Sequence, residues 1–129
     1  MKEILAGMVS ALIAYILNRI LIRRQKEKSI VYVIPLVEEV SKTIIGLLIR
    51  GNIIGVHFVF GIIEAIYDWF HTEEKKVALI AMVLSIVSHS IFGFITYYIY
   101  LWTGWIGLGI VGAVLGHIIW NYFISRGKR

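Results

Sequence analysis

The chain has 129 residues, of which 59% are hydrophobic and 16% charged, with one proline and no cysteine. A soluble domain is about 45–50% apolar, so the composition points to lipid, and the lack of cysteine excludes a disulfide framework, a thiolate nucleophile and a cysteine-held metal. The net charge of +5 does not argue for nucleic acid, because it is gathered in two loops and the tail, the pattern of basic segments resting on an anionic leaflet.

Five apolar stretches, near 3–22, 30–49, 53–70, 77–101 and 104–124, match the length needed to cross a bilayer core; that core is about 30 Å thick and takes about 20 helical residues. Backbone in lipid must satisfy its own hydrogen bonds, so helices are the expected spans. The predicted fold is an all-α integral membrane protein: one transmembrane domain over residues 1–129, with about five helices in one compact bundle. The first stretch reads as a retained helix and not as a leader, since Asn18 and Arg19 stand where small cleavage-site residues would be. Short polar loops are expected at RRQKEK, RGN, HTEEKK and TGW. Arg23, Arg24, Lys26 and Lys28 lie in the first of these, Lys75 and Lys76 in the third, and Arg126, Lys128 and Arg129 in the tail. Positive charge favours the cytoplasmic side, which puts the N-terminus outside and the C-terminus inside.

The second stretch carries the anomaly. Glu38 and Glu39 stand side by side within IVYVIPLVEEVSKTIIGLLI, followed by Lys42 and preceded by Pro35. Each ionised group at mid-span costs about 2.5–3.5 kcal/mol on insertion scales, so such residues face an interior or a wet cavity and are functional candidates. Pro35 removes a helical hydrogen bond just before the carboxylates. Glu38 and Lys42 share a helix face at favourable i, i+4 spacing. The third stretch adds Phe60 and Glu64, four apart, and also His57, which reads as a packing or interface residue near the outer end. His71 and Asp68 read as solvated boundary residues. The fourth stretch adds Ser85, His89 and Gly93 on one stripe, and the fifth adds His117 and Asn121, again four apart. Gly112 and Gly116 have the spacing that lets helices approach closely. The tryptophans and several tyrosines lie toward span ends, as aromatic belts do.

Counting about 1.5 Å per residue from the cytoplasmic ends puts Glu38, Glu39, Glu64 and His117 in one layer about 9–14 Å deep, with His89 deeper at about 18 Å. A water held by Glu38 or Glu39 would give a proton to the carboxylate. His117 and Asn121 are placed to hydrogen-bond a developing oxyanion. Which glutamate is the base stays open at this level, and Lys42 reads as a neutralising charge.

These motifs resemble the glutamic intramembrane proteases of the CAAX protease and bacteriocin-processing superfamily, most closely the PrsW branch. The resemblance lies in Pro35-x-x-Glu38-Glu39-x-x-Lys42, Phe60-x-x-x-Glu64, and the later His89 and His117, in order over about two thirds of the chain. CAAX-type enzymes carry arginine four residues after the second glutamate and histidine in the second motif, whereas this chain has Lys42 three residues after Glu39 and Glu64 in place of the histidine, a departure that favours the PrsW branch; the His117–Asn121 spacing does match the CAAX-type final motif. The resemblance implies a metal-independent intramembrane endopeptidase of a prokaryotic plasma membrane, without a cofactor. It would cut membrane-anchored proteins, such as anti-sigma factors or other single-span chains, by glutamate-activated water. It would use Glu38, Glu39, Glu64, His89, His117 and Asn121 as catalytic groups, supported by Lys42 and Phe60, with homo-oligomers allowed. The competing readings are a small proton-coupled transporter or channel, a metalloenzyme held by the glutamates and histidines, and an inactive scaffold or immunity protein that keeps the protease fold.

Overall fold

The computed structural model describes the backbone of residues 1–126 and the side chains of residues 1–22 and 31–124. Among the described residues the chain is helical almost throughout, with no strand. The helices are α1 (Lys2–Lys28), α2 (Ile34–Ile49), α3 (Ile53–His71), α4 (Lys75–Thr103) and α5 (Ile106–Arg126), with a π-helical turn at Ser29–Val33 leading into α2.

Two expectations change here. RRQKEK is not a loop: the helical backbone of α1 runs on to Lys28. The second stretch also differs from a uniform span. Four helices are long and apolar enough to cross a membrane, at Lys2–Ile22, Ile53–His71, Lys75–Thr103 and Ile106–Ile124. α2 is not among them, because it has only 16 α-helical residues and these include Glu38, Glu39 and Lys42. The pattern is that of a multi-pass membrane protein. The basic side chains expected at the cytoplasmic face at Arg23, Arg24, Lys26, Lys28, Arg126, Lys128 and Arg129 lie outside the described residues.

α1 and α2 are antiparallel, tied at one level by Asn18 to Glu38 and at the other by the Asn52 amide to Glu3 Oε1 at 3.2 Å. The turn between α2 and α3 is tight. The Arg50 and Gly51 amides return to Leu47 and Gly46 carbonyls, Arg50 adopts a left-handed φ of 57°, and Asn52 caps α3 by accepting from the Gly55 amide at 3.1 Å. α4 ends at Gly104, whose φ of 71° suits a residue without a Cβ.

Small residues set the helix spacings. Gly61 of α3 lies against Ser85, Ile86 and His89 of α4, and Gly93 of α4 lies against Ile54 and His57 of α3. On α5, Gly109 meets the Thr96 backbone and Gly112 meets Ile95 and Ile99, while Gly116 makes ordinary contact with Phe92 and Ile95. The expected close approach of α5 is therefore present, centred one turn earlier than Gly112 and Gly116 alone indicate. On α1, Ala6, Ser10 and Ala14 form a buried stripe at four-residue spacing.

The radial distribution of polarity is reversed relative to a water-soluble protein. The wholly buried side chains include Glu39, Lys42, Thr43, His57 and Thr96, whereas Leu12, Leu48, Phe70, Ile80, Leu101 and Phe123 are exposed. An apolar exterior of this extent is at home in hydrocarbon and not in water.

Candidate functional site

The polar residues that the sequence scatters over four segments meet in one cluster, buried except at Glu64, whose side chain is 39% exposed, and Glu39 stands at its centre. Glu39 Oε1 accepts from Lys42 Nζ at 2.6 Å and from His117 Nδ1 at 2.8 Å, and its Oε2 faces His57 Nε2 at 3.0 Å. One carboxylate thus joins α2 to α3 and α5. Its neighbour on the preceding residue is engaged differently. Glu38 Oε1 accepts from Asn18 Nδ2 at 2.9 Å. Glu38 Oε2 is buried and has no hydrogen-bond partner among the described residues, and it lies 3.9 Å from His117 Nε2, beyond direct hydrogen-bond reach.

Lys42 carries the cluster on to α4. Its ammonium, which can only donate, meets His89 Nδ1 at 2.8 Å and lies 4.5 Å from the centre of the Phe60 ring. His89 Nδ1 is therefore the acceptor and Nε2 carries the proton, which it donates to Glu64 Oε2. Ser85 Oγ donates to the same Glu64 oxygen at 2.9 Å. The ring of His89 is packed between Phe60, Phe92 and His117, and Phe92 stacks on His117 with centroids 4.7 Å apart. These contacts hold both imidazoles in fixed orientation.

The partners also fix the tautomer of His117, as partners must where hydrogens are assigned and not seen. Nδ1 donates to Glu39, so in the neutral ring Nε2 presents a lone pair toward Glu38 Oε2. Two basic atoms, one carboxylate oxygen and one imidazole nitrogen, converge on the same small region. His57 has no such spare atom. Its Nδ1 donates to the Ile53 carbonyl at 2.9 Å, so a proton also has to lie between Nε2 and Glu39 Oε2, on one or the other.

The structure thus brings together Glu38, Glu39, Lys42, Phe60, Glu64, His89 and His117. Asn121 is half-buried one turn beyond His117 on α5. His71 is exposed, stacked on Tyr67, in line with a boundary position. Two members were not expected. His57 is wholly buried against Glu39 and is not a peripheral packing residue. Its signal is present in the sequence, since His57, Phe60, Gly61 and Glu64 repeat at three to four residues and share one helix face. Asn18 has a similar signal, because it continues the Ala6, Ser10, Ala14 stripe by one further step of four.

Glu38, His89 and His117 can each offer a ligand atom within 4.8 Å of the others, the spacing of a metal site. The donor chemistry fits such an ion poorly. Both nitrogens of His89 are committed, one to Lys42 and one to Glu64, and the Lys42 ammonium places a positive charge where a cation would enter. A metal on His89 would have to displace Lys42 from Nδ1 or Glu64 from Nε2.

Comparison with family models, curated proteins and solved structures gives no match for this chain.

Proposed function

We propose that this chain is an intramembrane glutamic protease of the PrsW-like kind, acting without a metal. The observation that carries the reading is the contrast between the two glutamates. Glu39 has both oxygens engaged by Lys42, His57 and His117, whereas Glu38 keeps one buried oxygen without a partner among the described residues, beside His117 Nε2. A general base needs a free lone pair within reach of the proton that it takes, so Glu38 is the base and Glu39 the anchor that aims His117.

In this scheme a water lies between Glu38 Oε2 and His117 Nε2. Glu38 takes one of its protons as the water oxygen bonds to the scissile carbonyl carbon. The carbonyl oxygen becomes an oxyanion, and the amide of Asn121 supplies a donor to it. The proton on Glu38 then passes to the leaving nitrogen as the C–N bond breaks, and Glu38 is again a carboxylate. Lys42 offsets the charge of the paired acids, and Glu64 holds His89 in the tautomer that accepts from Lys42.

The substrate would be a membrane-anchored protein whose chain reaches this depth. The remaining parts of the reading are a single bundle with α2 as a fifth span, the N-terminus outside, the C-terminus in the cytoplasm, and a prokaryotic plasma membrane. The test is co-expression with a panel of single-span reporters, comparing wild type with Glu38→Gln and His117→Ala at matched membrane levels. Cleavage by the wild type, lost in both variants, supports the reading. A second reading keeps weight from the hydrogen-bonded series Glu64–His89–Lys42–Glu39–His117, which links α2 through α5 as a proton relay would. Proton flux in proteoliposomes that is abolished by Glu64→Gln, without cleavage of any reporter, would favour transport.

A further inference from the structure

Asn18 lies on α1, outside every motif discussed so far, and yet its side chain touches the candidate base. The contact is Asn18 Nδ2 to Glu38 Oε1 at 2.9 Å. The amide cannot be turned around, because its oxygen would then face a carboxylate oxygen. Asn18 Oδ1 is buried and has no hydrogen-bond partner among the described residues, so the bond to Glu38 is what orients the amide. α1 is already fastened elsewhere, by Gly7 against Val59, by the buried Ala6–Ser10–Ala14 stripe and by Glu3 at the Asn52 amide.

The geometry assigns Asn18 as a positioning residue for Glu38. Its Nδ2–H occupies Oε1 and fixes the plane of the carboxylate. The remaining oxygen, Oε2, is thereby held on the side of His117 Nε2. α1 then contributes to the chemistry and is not merely a fifth wall. The assignment rests on the hydrolytic reading of Glu38, and it names a donor that this reading does not need in advance.

The first test uses a single-span reporter that the wild type cleaves. Asn18→Ala removes a hydrogen bond to a charged group and is expected to lower kcat by about ten-fold or more with KM within about two-fold. Asn18→Asp keeps the shape but cannot donate while ionised. Burial beside the Glu38 carboxylate favours the protonated form of the introduced acid, so its activity, relative to wild type at the same pH, is expected to recover as the pH falls from about 8 toward 5.5. Asn18→Leu, which fills the space but never donates, is expected to show no such recovery. Asn18→Ala within two-fold of wild type, or Asn18→Asp with a wild-type pH profile, would overturn the assignment. The second test does not require cleavage. Dicyclohexylcarbodiimide modifies protonated carboxyl groups in apolar surroundings, and Asn18→Ala removes a bond that favours the ionised form of Glu38. Modification of Glu38, read by mass spectrometry of the purified protein, is expected to accelerate by about three-fold or more in that variant. An unchanged rate in a variant with wild-type thermal stability would overturn the assignment. If the wild type cleaves no reporter while this acceleration is seen, the hydrolytic reading fails and the Asn18–Glu38 coupling stands.

Discussion

His57 Nε2 lies 3.0 Å from Glu39 Oε2, and neither side chain is exposed to any extent. α4 closes over this pair at Gly93, where a Cβ would come within 2.8 Å of His57 Cβ. His57→Phe fills the same space but leaves a Glu39 oxygen without a donor, at a cost of about 1–3 kcal/mol. The expected result is a lower thermal midpoint in detergent together with loss of reporter cleavage. His57→Gln, whose amide can still reach Glu39, should retain more of both.

The two glutamates should separate in their effects. Glu38→Gln preserves an oxygen for Asn18 and removes only the proposed base, so the folded protein is expected to keep its thermal midpoint while cleavage falls by about 100-fold or more. Glu39→Gln strands the buried Lys42 ammonium, and breaking a buried pair in this way costs about 3–5 kcal/mol. Expression level and thermal midpoint should therefore drop for Glu39→Gln. Combining it with Lys42→Met should restore much of the stability without restoring cleavage.

Metal dependence follows from the occupancy of His89. Since its Nδ1 and Nε2 are taken by Lys42 and Glu64, cleavage in purified form is expected to be unchanged by EDTA or by prior dialysis against a chelator. Loss of activity on chelation, restored by one divalent ion, would reassign Glu38, His89 and His117 as ligands.

Glycines on α5 should differ according to what faces them. A Cβ on Gly109 runs into the Thr96 carbonyl oxygen, which is backbone and cannot move aside. A Cβ on Gly112 meets the tip of Ile99 at 2.5 Å, which a rotamer change can relieve. Gly109→Ala is expected to destabilise by about 1–3 kcal/mol, the usual range for overpacking, and Gly112→Ala by clearly less in the same thermal assay.

The apolar runs of α1, α3, α4 and α5 are legible because hydropathy over about 20 residues reports directly on the lipid environment. α2 is harder to read, since the acids that make it a functional candidate also take it outside the composition of an independent span. The end of α1 was misplaced for a related reason: a charged run reads as a loop, but helical backbone tolerates lysine, arginine and glutamate well. Site residues that share a helical register with a neighbouring motif, such as His89 or His117, could be placed by depth counting. His57 could not. Counting assumes parallel axes, whereas the contact of His57 with Glu39 joins a residue four positions into α3 with one ten positions before the end of α2. Asn18 escaped because a single neutral amide in an apolar run carries little weight until its four-residue register with Ser10 and Ala14 is counted.

The polarity of the cluster has a consequence for how the chain is made. During synthesis α2 emerges before α3, α4 and α5, so Glu38, Glu39 and Lys42 meet lipid before His57, His89 and His117 exist to receive them. Three charged groups at about 2.5–3.5 kcal/mol each are enough to keep such a segment at the translocon or the interface. Its entry into the bilayer would then be the last step and not the second, driven by the helices that follow. A nascent chain stopped before His57 would leave the α2 charges with Asn18 alone, a natural signal for membrane quality control.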